Sequence, residues 1–226
     1  MKVRRFHTNQ TGRDFAVGDI HGCFSKLQAS LDLIGFDPAV DRLFSVGDLV
    51  DRGSESNAVL EWLARPWFHA VMGNHDDMAL RWPRGNMEGD IYRRNGGGWN
   101  IDQPRETQEA IASAMALLPV AIAVETAFGT VGVVHADVPT PTWAGFVDAL
   151  EGGVGIRARS AADAAMWSRG RITVGNTYRV PDVRAVVVGH TPVPQLVVLG
   201  NVYHIDTGAV FGRPFTLLDL ATLEVA

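Results

Sequence analysis

Short apolar runs that end in polar loops recur along the first third of the chain. The runs at residues 15–17, 43–46 and 68–72 each lead into a loop that contains Gly-Asp or Gly-Asn. An amphipathic segment follows each loop; Leu27 and Leu31, for example, are spaced to share one face of a helix. Strands that alternate with helices favour βαβ units with parallel strand pairing. The pattern therefore predicts an α/β fold.

The rest of the chain predicts a helix, more strands and one irregular stretch. The predicted elements are a flexible loop at 95–99, a helix at 106–118, a hairpin formed by 120–125 and 130–135, and strands at 185–188, 196–199, 202–206 and 215–220. The stretch 139–184 is rich in Pro, Gly, Ala and Arg and predicts only a helix near 160–168. Because no linker interrupts the chain, residues 1–226 are expected to form a single domain.

Composition and charge exclude several classes of function. The 226 residues are 46% hydrophobic and 20% charged, which is typical of a globular protein, and a net charge of −5 offers no footprint for nucleic acid. No apolar run approaches the ~18 residues of a membrane span, and no apolar stretch follows the basic N-terminus as in a signal peptide. The single cysteine, Cys23, excludes an internal disulfide framework. We expect a cytoplasmic protein without nucleic-acid or membrane partners, and its oligomeric state is not predicted.

Residues of types that bind metal ions follow five of the predicted strands. They are Asp19 and His21, Asp48, Asn74 and His75, His135, and His190. Because open α/β sheets bind ligands at the carboxyl ends of their strands, we expect these side chains to meet. Carboxylate and amide oxygens mixed with imidazole nitrogens suit Mn, Fe, Zn or Mg. So many ligands are too many for one tetrahedral site. They predict two ions about 3.5–4 Å apart that share a carboxylate, the arrangement that enzymes use for in-line displacement at phosphorus.

Each of these motifs also has a structural explanation. A Gly-Asp pair after a strand is common turn chemistry, and a single histidine is a weak signal, so we interpret His7, His69 and His204 as structural or surface residues. Random turns would not place GDIHG, GDLVDRG, GNHD, HAD and GHTP on successive strands. Cys23 is interpreted as a small hydrophobic residue, because it lacks the Cys-x5-Arg loop of a cysteine phosphatase.

The motifs GDIHG, GDLVDRG and GNHD, in this order and spacing, resemble the signature of the phosphoprotein phosphatase family of metallophosphoesterases. The resemblance continues through NGGGW, HAD, GHTP and IDTGAVF and is strongest to the lambda-type and bacterial serine/threonine phosphatases. It implies a calcineurin-like metallophosphoesterase fold, with two mixed β-sheets flanked by helices, a βαβαβ core and C-terminal strands. It also implies a bacterial or phage hydrolase of phosphoproteins or phosphopeptides, with two divalent ions, for which we expect Mn²⁺ while Fe, Zn or Mg also fit.

The resemblance assigns a role to each matching residue. Asp19, His21 and Asp48 match the ligands of the first metal, with Asp48 bridging, and Asn74, His135 and His190 match those of the second. His75 matches the general acid, Asp51 its carboxylate partner, and Arg52 and Arg169 the phosphate-binding arginines, with Arg171 as the alternative to Arg169. The implied mechanism is direct attack by a metal-bridging hydroxide while His75 protonates the leaving oxygen.

Two positions leave the substrate open. The family usually has Glu where this chain has Asp76, and the shorter side chain resembles the symmetrical diadenosine tetraphosphate hydrolases. Those enzymes usually have Ala at the position of Asp51, so we favour a serine/threonine phosphoprotein phosphatase and keep the dinucleotide hydrolase as the alternative. A metal-binding module without catalysis is the third hypothesis, against which the intact Asp48 and His75 argue. The stretch 139–184 is expected to line the substrate cleft.

Overall fold

The computed structural model describes residues 2–152 and 155–226. Its strands are β1 (Val3–Phe6), β2 (Asp14–Val17), β3 (Arg42–Ser45), β4 (Phe68–Ala70), β5 (Ala121–Thr126), β6 (Gly129–Val134), β7 (Ala185–Val188), β8 (Val197–Leu199), β9 (Val202–His204) and β10 (Leu217–Asp219). Its α-helices are α1 (Phe24–Leu33), α2 (Val59–Leu63), α3 (Asn74–Arg81), α4 (Gly89–Tyr92), α5 (Gly98–Ile101), α6 (Arg105–Met115), α7 (Trp143–Glu151), α8 (Ile156–Trp167) and α9 (Gly170–Val174). Short 3₁₀ turns lie at Ser56–Ala58, Trp82–Arg84 and Ala209–Phe211, and a π-helical turn lies at Arg93–Gly97.

The strands form two mixed sheets. One sheet has the order β10-β2-β3-β4, in which β2, β3 and β4 are parallel and β10 is antiparallel to β2. The other has the order β1-β5-β6-β7-β9-β8, with the antiparallel hairpins β5–β6 and β8–β9 and parallel pairing between β6, β7 and β9. The run β2-α1-β3-α2-β4 is the predicted βαβαβ core. The predicted hairpin of 120–125 and 130–135 is confirmed, and the predicted strands 196–199 and 202–206 also pair as a hairpin.

Alternating side chains in the strands explain how the layers pack. In β2, Phe15 and Val17 pack against helices, whereas Ala16 between them faces the other sheet. The same alternation in β7 sends Val186 to the helical side and Val187 to the space between the sheets. Since successive strand residues point to opposite faces, each sheet buries both of its faces. Helices α1, α2 and α6 cover one sheet and α7 and α8 cover the other, so the implied architecture is confirmed.

Three segments differ from what the sequence predicted. Strand β1 was not predicted, because only Val3 of its four residues is buried and no apolar alternation marks it. The predicted flexible loop 95–99 is wrong: residues 95–97 end the π-helical turn, in which Gly96 forms a kink with a φ of 99°, and residues 98–99 begin α5. The stretch 139–184 contains three helices, α7, α8 and α9, within its described residues, where the sequence predicted one. In the parts of the chain that the structure describes, no helix is both long enough and apolar enough to cross a bilayer.

Candidate metal and phosphate site

The candidate site lies where the carboxyl ends of the two sheets meet. The loops after β2, β3 and β4 supply one half of it and the loops after β6 and β7 the other. His135 donates from Nδ1 to the carbonyl of Val46 at 2.7 Å, and the backbone N–H of His190 lies 3.1 Å from both carboxylate oxygens of Asp19. The structure thus brings together the predicted ligands of both sheets, namely Asp19, His21, Asp48, Asn74, His135 and His190.

Asp48 occupies the centre of this group. Its Oδ2 lies 3.6 Å from His21 Nε2, and its Oδ1 lies 3.4 Å from His135 Nε2. Two close sets of metal-binding atoms, each within 4.8 Å of one another, are His21, Asp48 and His75 on one side and Asp48, His135 and His190 on the other. Because Asp48 belongs to both sets, its carboxylate fits a position shared by two ions.

Backbone carbonyls orient the imidazoles of the site. His21 Nδ1 lies 2.9 Å from the carbonyl of Val50, so in the neutral ring Nε2 carries the lone pair. His135 Nε2 likewise faces the site and lies 3.0 Å from Asn74 Oδ1 and 3.2 Å from His190 Nδ1. Such outer hydrogen bonds hold metal-binding histidines in one tautomer and orientation.

Burial sets the charges of the ligands. Burial lowers the pKa of His21 and of His190 to about 3, so both rings are neutral and each has one nitrogen lone pair. Burial acts to raise the pKa of Asp48, but the pKa lies below its usual value because the backbone N–H of His75 donates to Oδ1 at 2.9 Å and favours the ionised carboxylate. Burial, with the charges of Asp206 and Asp48, raises the pKa of Asp19 well above its usual value. Neutral imidazoles among crowded carboxylates are a donor set that divalent cations stabilise, so these residues fit a metal centre.

His75 stands beside this group with its own carboxylate partner. Its Nδ1 donates to Asp51 Oδ2 at 2.8 Å, and its Nε2 lies 4.0 Å from Asp48 Oδ2. His75 is 1% exposed and Asp51 is fully buried. With Nδ1 engaged by a carboxylate, Nε2 is the ring atom that can exchange a proton with a group in the site.

Two arginines reach the imidazoles from opposite halves of the site. Arg52 Nη1 donates to His21 Nε2 at 2.6 Å, and Arg169 Nε donates to His190 Nε2 at 3.2 Å. A guanidinium has five N–H donors, so each arginine can also bind oxygens of an anion in the site. Both predicted phosphate-binding arginines are therefore near the ligands.

Arg171, the alternative to Arg169, points away from the ligands. It is 6% exposed, donates from Nε to Asp137 Oδ1 at 2.9 Å, and donates from Nη1 to the carbonyls of Asn176 and Tyr178 at 3.2 and 2.8 Å. These contacts tie α9 to the strand that ends in the HAD motif. The geometry favours Arg169 over Arg171 for contact with an anion.

Asp76, which left the substrate open at the level of sequence, faces the protein interior. It is fully buried, and its two carboxylate oxygens accept the backbone N–H groups of Leu49 and Gly73, both at 2.9 Å. Burial raises its pKa to about 7, and the charge of Asp48 acts in the same direction. Asp76 thus joins the loop after β3 to the start of α3, and these contacts do not bring it to a substrate.

Sequence reasoning missed two residues of the site. Trp99 donates from Nε1 to Asp51 Oδ1 at 2.7 Å. Asp206 is 4% exposed and follows β9, and burial raises its pKa to about 6, with Asp48 adding to the effect. The strand-end pattern that marked Asp19 could have identified Asp206. No sequence signal connects Trp99 with Asp51, which lies 48 positions away.

The family model and the similar proteins all indicate phosphoester hydrolases. The model of the calcineurin-like phosphoesterase family matches residues 15–194. A protein of Salmonella typhimurium named serine/threonine-protein phosphatase 1 is 38% identical over 211 residues, covering 90% of this chain and 89% of that protein. A symmetrical bis(5'-nucleosyl)-tetraphosphatase of Pseudomonas putida is 52% identical, but over 64 residues, which are 27% of this chain and 22% of that protein.

Solved structures agree in fold. The crystal structure of a candidate diadenosine tetraphosphatase superposes with a TM-score of 0.69, covering 100% of this chain and 96% of the other at 21% sequence identity. At that identity the likeness concerns the fold alone.

Proposed function

The chain belongs to the calcineurin-like phosphoesterase family, and we propose that this metallophosphoesterase hydrolyses phosphoserine and phosphothreonine in proteins or peptides. The observation that carries the proposal is the His75–Asp51 pair, placed beside a group of convergent metal ligands. The 38% identity to a serine/threonine phosphatase over 90% of the chain supports the same substrate class.

The chemistry needs two divalent ions, and the residues that would hold them share Asp48. Asp19 and His21 would complete one position, and Asn74, His135 and His190 would complete the other. When bound, such ions supply a water-derived nucleophile near neutral pH and neutralise phosphate charge. We propose Mn²⁺ as the resident metal on the resemblance to the phosphoprotein phosphatases, and the mixed oxygen and nitrogen donors admit it together with Fe, Zn or Mg.

The remaining steps belong to the side chains around the ligands. Arg52 and Arg169 would bind non-bridging phosphate oxygens by charge-assisted hydrogen bonds and so orient the phosphorus for attack. His75 would donate the proton at Nε2 to the ester oxygen of serine or threonine as that oxygen leaves. Asp51 accepts a hydrogen bond from His75 Nδ1. The proton that His75 can transfer is therefore the one on Nε2.

A symmetrical dinucleoside tetraphosphate hydrolase is the second candidate. A segment of 64 residues is 52% identical to such an enzyme, which favours this candidate. Asp76 was the residue that suggested it in the sequence. Asp76 contacts only backbone N–H groups among its described hydrogen bonds, so its identity does not argue for a dinucleotide. The buried Asp51–His75 pair remains the reason to favour phosphomonoesters with a poor leaving group.

The test is a parallel assay of the Mn²⁺-loaded protein with a phosphoserine peptide and with diadenosine tetraphosphate. We expect a larger kcat/KM for the peptide, and the His75→Asn variant serves as the control for contaminating phosphatase. A larger kcat/KM for the dinucleotide would overturn the proposed substrate and leave the metallophosphoesterase assignment in place. Metal binding without turnover of either substrate would favour the hypothesis of a metal-binding module without catalysis.

A further inference from the structure

The carboxylate of Asp51 is held from two sides. Its Oδ2 accepts the Nδ1 proton of His75 at 2.8 Å, and its Oδ1 accepts the indole N–H of Trp99 at 2.7 Å. Asp51 is fully buried and has a positive φ of 72°, so its carboxylate is presented from a constrained backbone. With one oxygen engaged by Trp99, the other is fixed in the direction of His75.

The glycine-rich segment before Trp99 packs closely enough on its neighbours to place the indole beside Asp51. A Cβ on Gly96, which has φ of 99°, would lie 2.6 Å from the backbone nitrogen of Arg52, and a Cβ on Gly97 would lie 2.2 Å from the ring of Tyr92. Neither position can carry a side chain without displacing its neighbour. The backbone of the NGGGW motif therefore packs against the loop that carries Asp51, and Trp99 is the last residue of this motif.

We propose that Trp99 is a positioning residue of the phosphatase reaction, which acts through Asp51 to keep the His75 ring oriented for proton donation. The inference rests on the proposed function, since it assumes that His75 is the general acid. It assigns the NGGGW motif a role beyond packing: its glycines allow the close approach, and its tryptophan supplies the hydrogen bond.

The first test is Trp99→Phe, which keeps an aromatic ring and removes the N–H donor. We expect kcat on a phosphoserine peptide to fall about tenfold with KM unchanged, the size of one hydrogen bond to a charged group. The loss should be much smaller on p-nitrophenyl phosphate, whose leaving group needs little protonation. Equal losses on both substrates, or a change in KM alone, would assign Trp99 to packing or to substrate binding and overturn the proposal.

Trp82→Phe is the matched control. The indole nitrogen of Trp82 is also buried, but it has no hydrogen-bond partner among the described residues. Its ring packs near Tyr92, in the same part of the core that contains Trp99. We expect this variant to keep the kcat of the parent on both substrates. A drop that matches that of Trp99→Phe would mean that any tryptophan change in this core slows the enzyme, which contradicts a specific role.

The second test does not depend on activity. In the metal-free protein labelled with ¹⁵N, the indole resonance of Trp99 is identified by its loss in Trp99→Phe and then followed in Asp51→Asn. We expect it to move, because an amide oxygen is a weaker acceptor than a carboxylate, while the Trp82 resonance stays in place. An unchanged Trp99 resonance would mean that the hydrogen bond is absent in solution and would overturn the inference.

The two proposals fail in different ways. If His75→Asn loses activity equally on the peptide and on p-nitrophenyl phosphate, His75 is not the acid and the proposed mechanism fails, whatever Trp99 does. If His75→Asn shows the difference between substrates and Trp99→Phe does not, only the role of Trp99 is refuted.

Discussion

At the scale of the residue, the site carries its functional side chains on strained backbone. His21, Asp48, Asp51, Arg52 and His190 have positive φ angles between 46° and 72°. Side chains other than glycine rarely adopt this conformation, which costs about 1–3 kcal/mol at each position. The surrounding hydrogen bonds hold these angles and direct the side chains towards one point. Aspartate and histidine tolerate this conformation better than most residues, so four of the five positions combine a tolerated backbone with a polar side chain of the candidate site, and Arg52 is the exception.

The acid role that we propose for His75 predicts a loss of activity that depends on the leaving group. His75→Asn removes the proton at Nε2, so turnover of an alkyl phosphate such as phosphoserine should fall by about 10²–10⁴-fold, the usual contribution of a general acid. On p-nitrophenyl phosphate the loss should be smaller. Steady-state kinetics on both substrates with saturating Mn²⁺ measures the difference, and metal content measured in parallel checks that the ions are retained.

The central position of Asp48 predicts that one substitution affects both of the proposed metal positions. Its two carboxylate oxygens face the two halves of the site, towards His21 and His135. Asp48→Asn should therefore reduce the metal content of the purified protein at both positions, whereas His21→Ala should reduce it at one. Elemental analysis of protein equilibrated with Mn²⁺ gives the stoichiometry. Two ions bound with normal affinity to Asp48→Asn would show that Asp48 does not bridge.

At the scale of the element, two arginines at the start of α9 make different contacts. Arg169, just before the helix, reaches His190, whereas Arg171 within it is buried against Asp137. Arg169→Ala should weaken inhibition by inorganic phosphate and leave the free energy of unfolding nearly unchanged. Arg171→Ala should lower that free energy by about 1–3 kcal/mol, because it leaves the partly buried carboxylate of Asp137 and the carbonyls of Asn176 and Tyr178 without their donor.

Urea unfolding and phosphate inhibition, measured on both variants, separate the two roles. If both variants changed phosphate inhibition and the free energy of unfolding alike, the assignment of separate roles to Arg169 and Arg171 would be wrong. A larger effect of Arg171→Ala than of Arg169→Ala on phosphate affinity, without loss of stability, would assign phosphate binding to Arg171.

The elements that the sequence predicted are those with a strong local signal. The strand ends before Asp19, Asp48 and His190 combine an apolar run with a glycine turn, and each position is found in the site. The segment 95–99 was wrongly predicted as a flexible loop because its glycines indicate freedom locally, whereas Gly96 packs against the backbone of Arg52 and the residues around it form helical turns. Such contacts join residues far apart in sequence, and no local periodicity records them.

At the scale of the molecule, the site joins the two sheets. A Cβ on Gly18 would lie 2.6 Å from the carbonyl of Ile205, and a Cβ on Gly189 would lie 2.1 Å from Asp19 Oδ1, so the strand ends approach as closely as glycine allows. The predicted ligands come from both sides of this junction. Any ion bound there is a cross-link between the sheets, and its binding energy contributes to the stability of the fold.

Metal removal should therefore lower the stability of the whole molecule. An ion at about 100 times its Kd stabilises the native state by about 2.7 kcal/mol, which for a chain of this length corresponds to about 5–10 °C in Tm. Calorimetry with Mn²⁺ and again with excess chelator measures the shift. In Asp48→Asn the shift should nearly vanish, because the shared carboxylate is gone, whereas Trp82→Phe should retain it. An equal Tm with and without metal in the parent protein would mean that the ions do not couple the sheets.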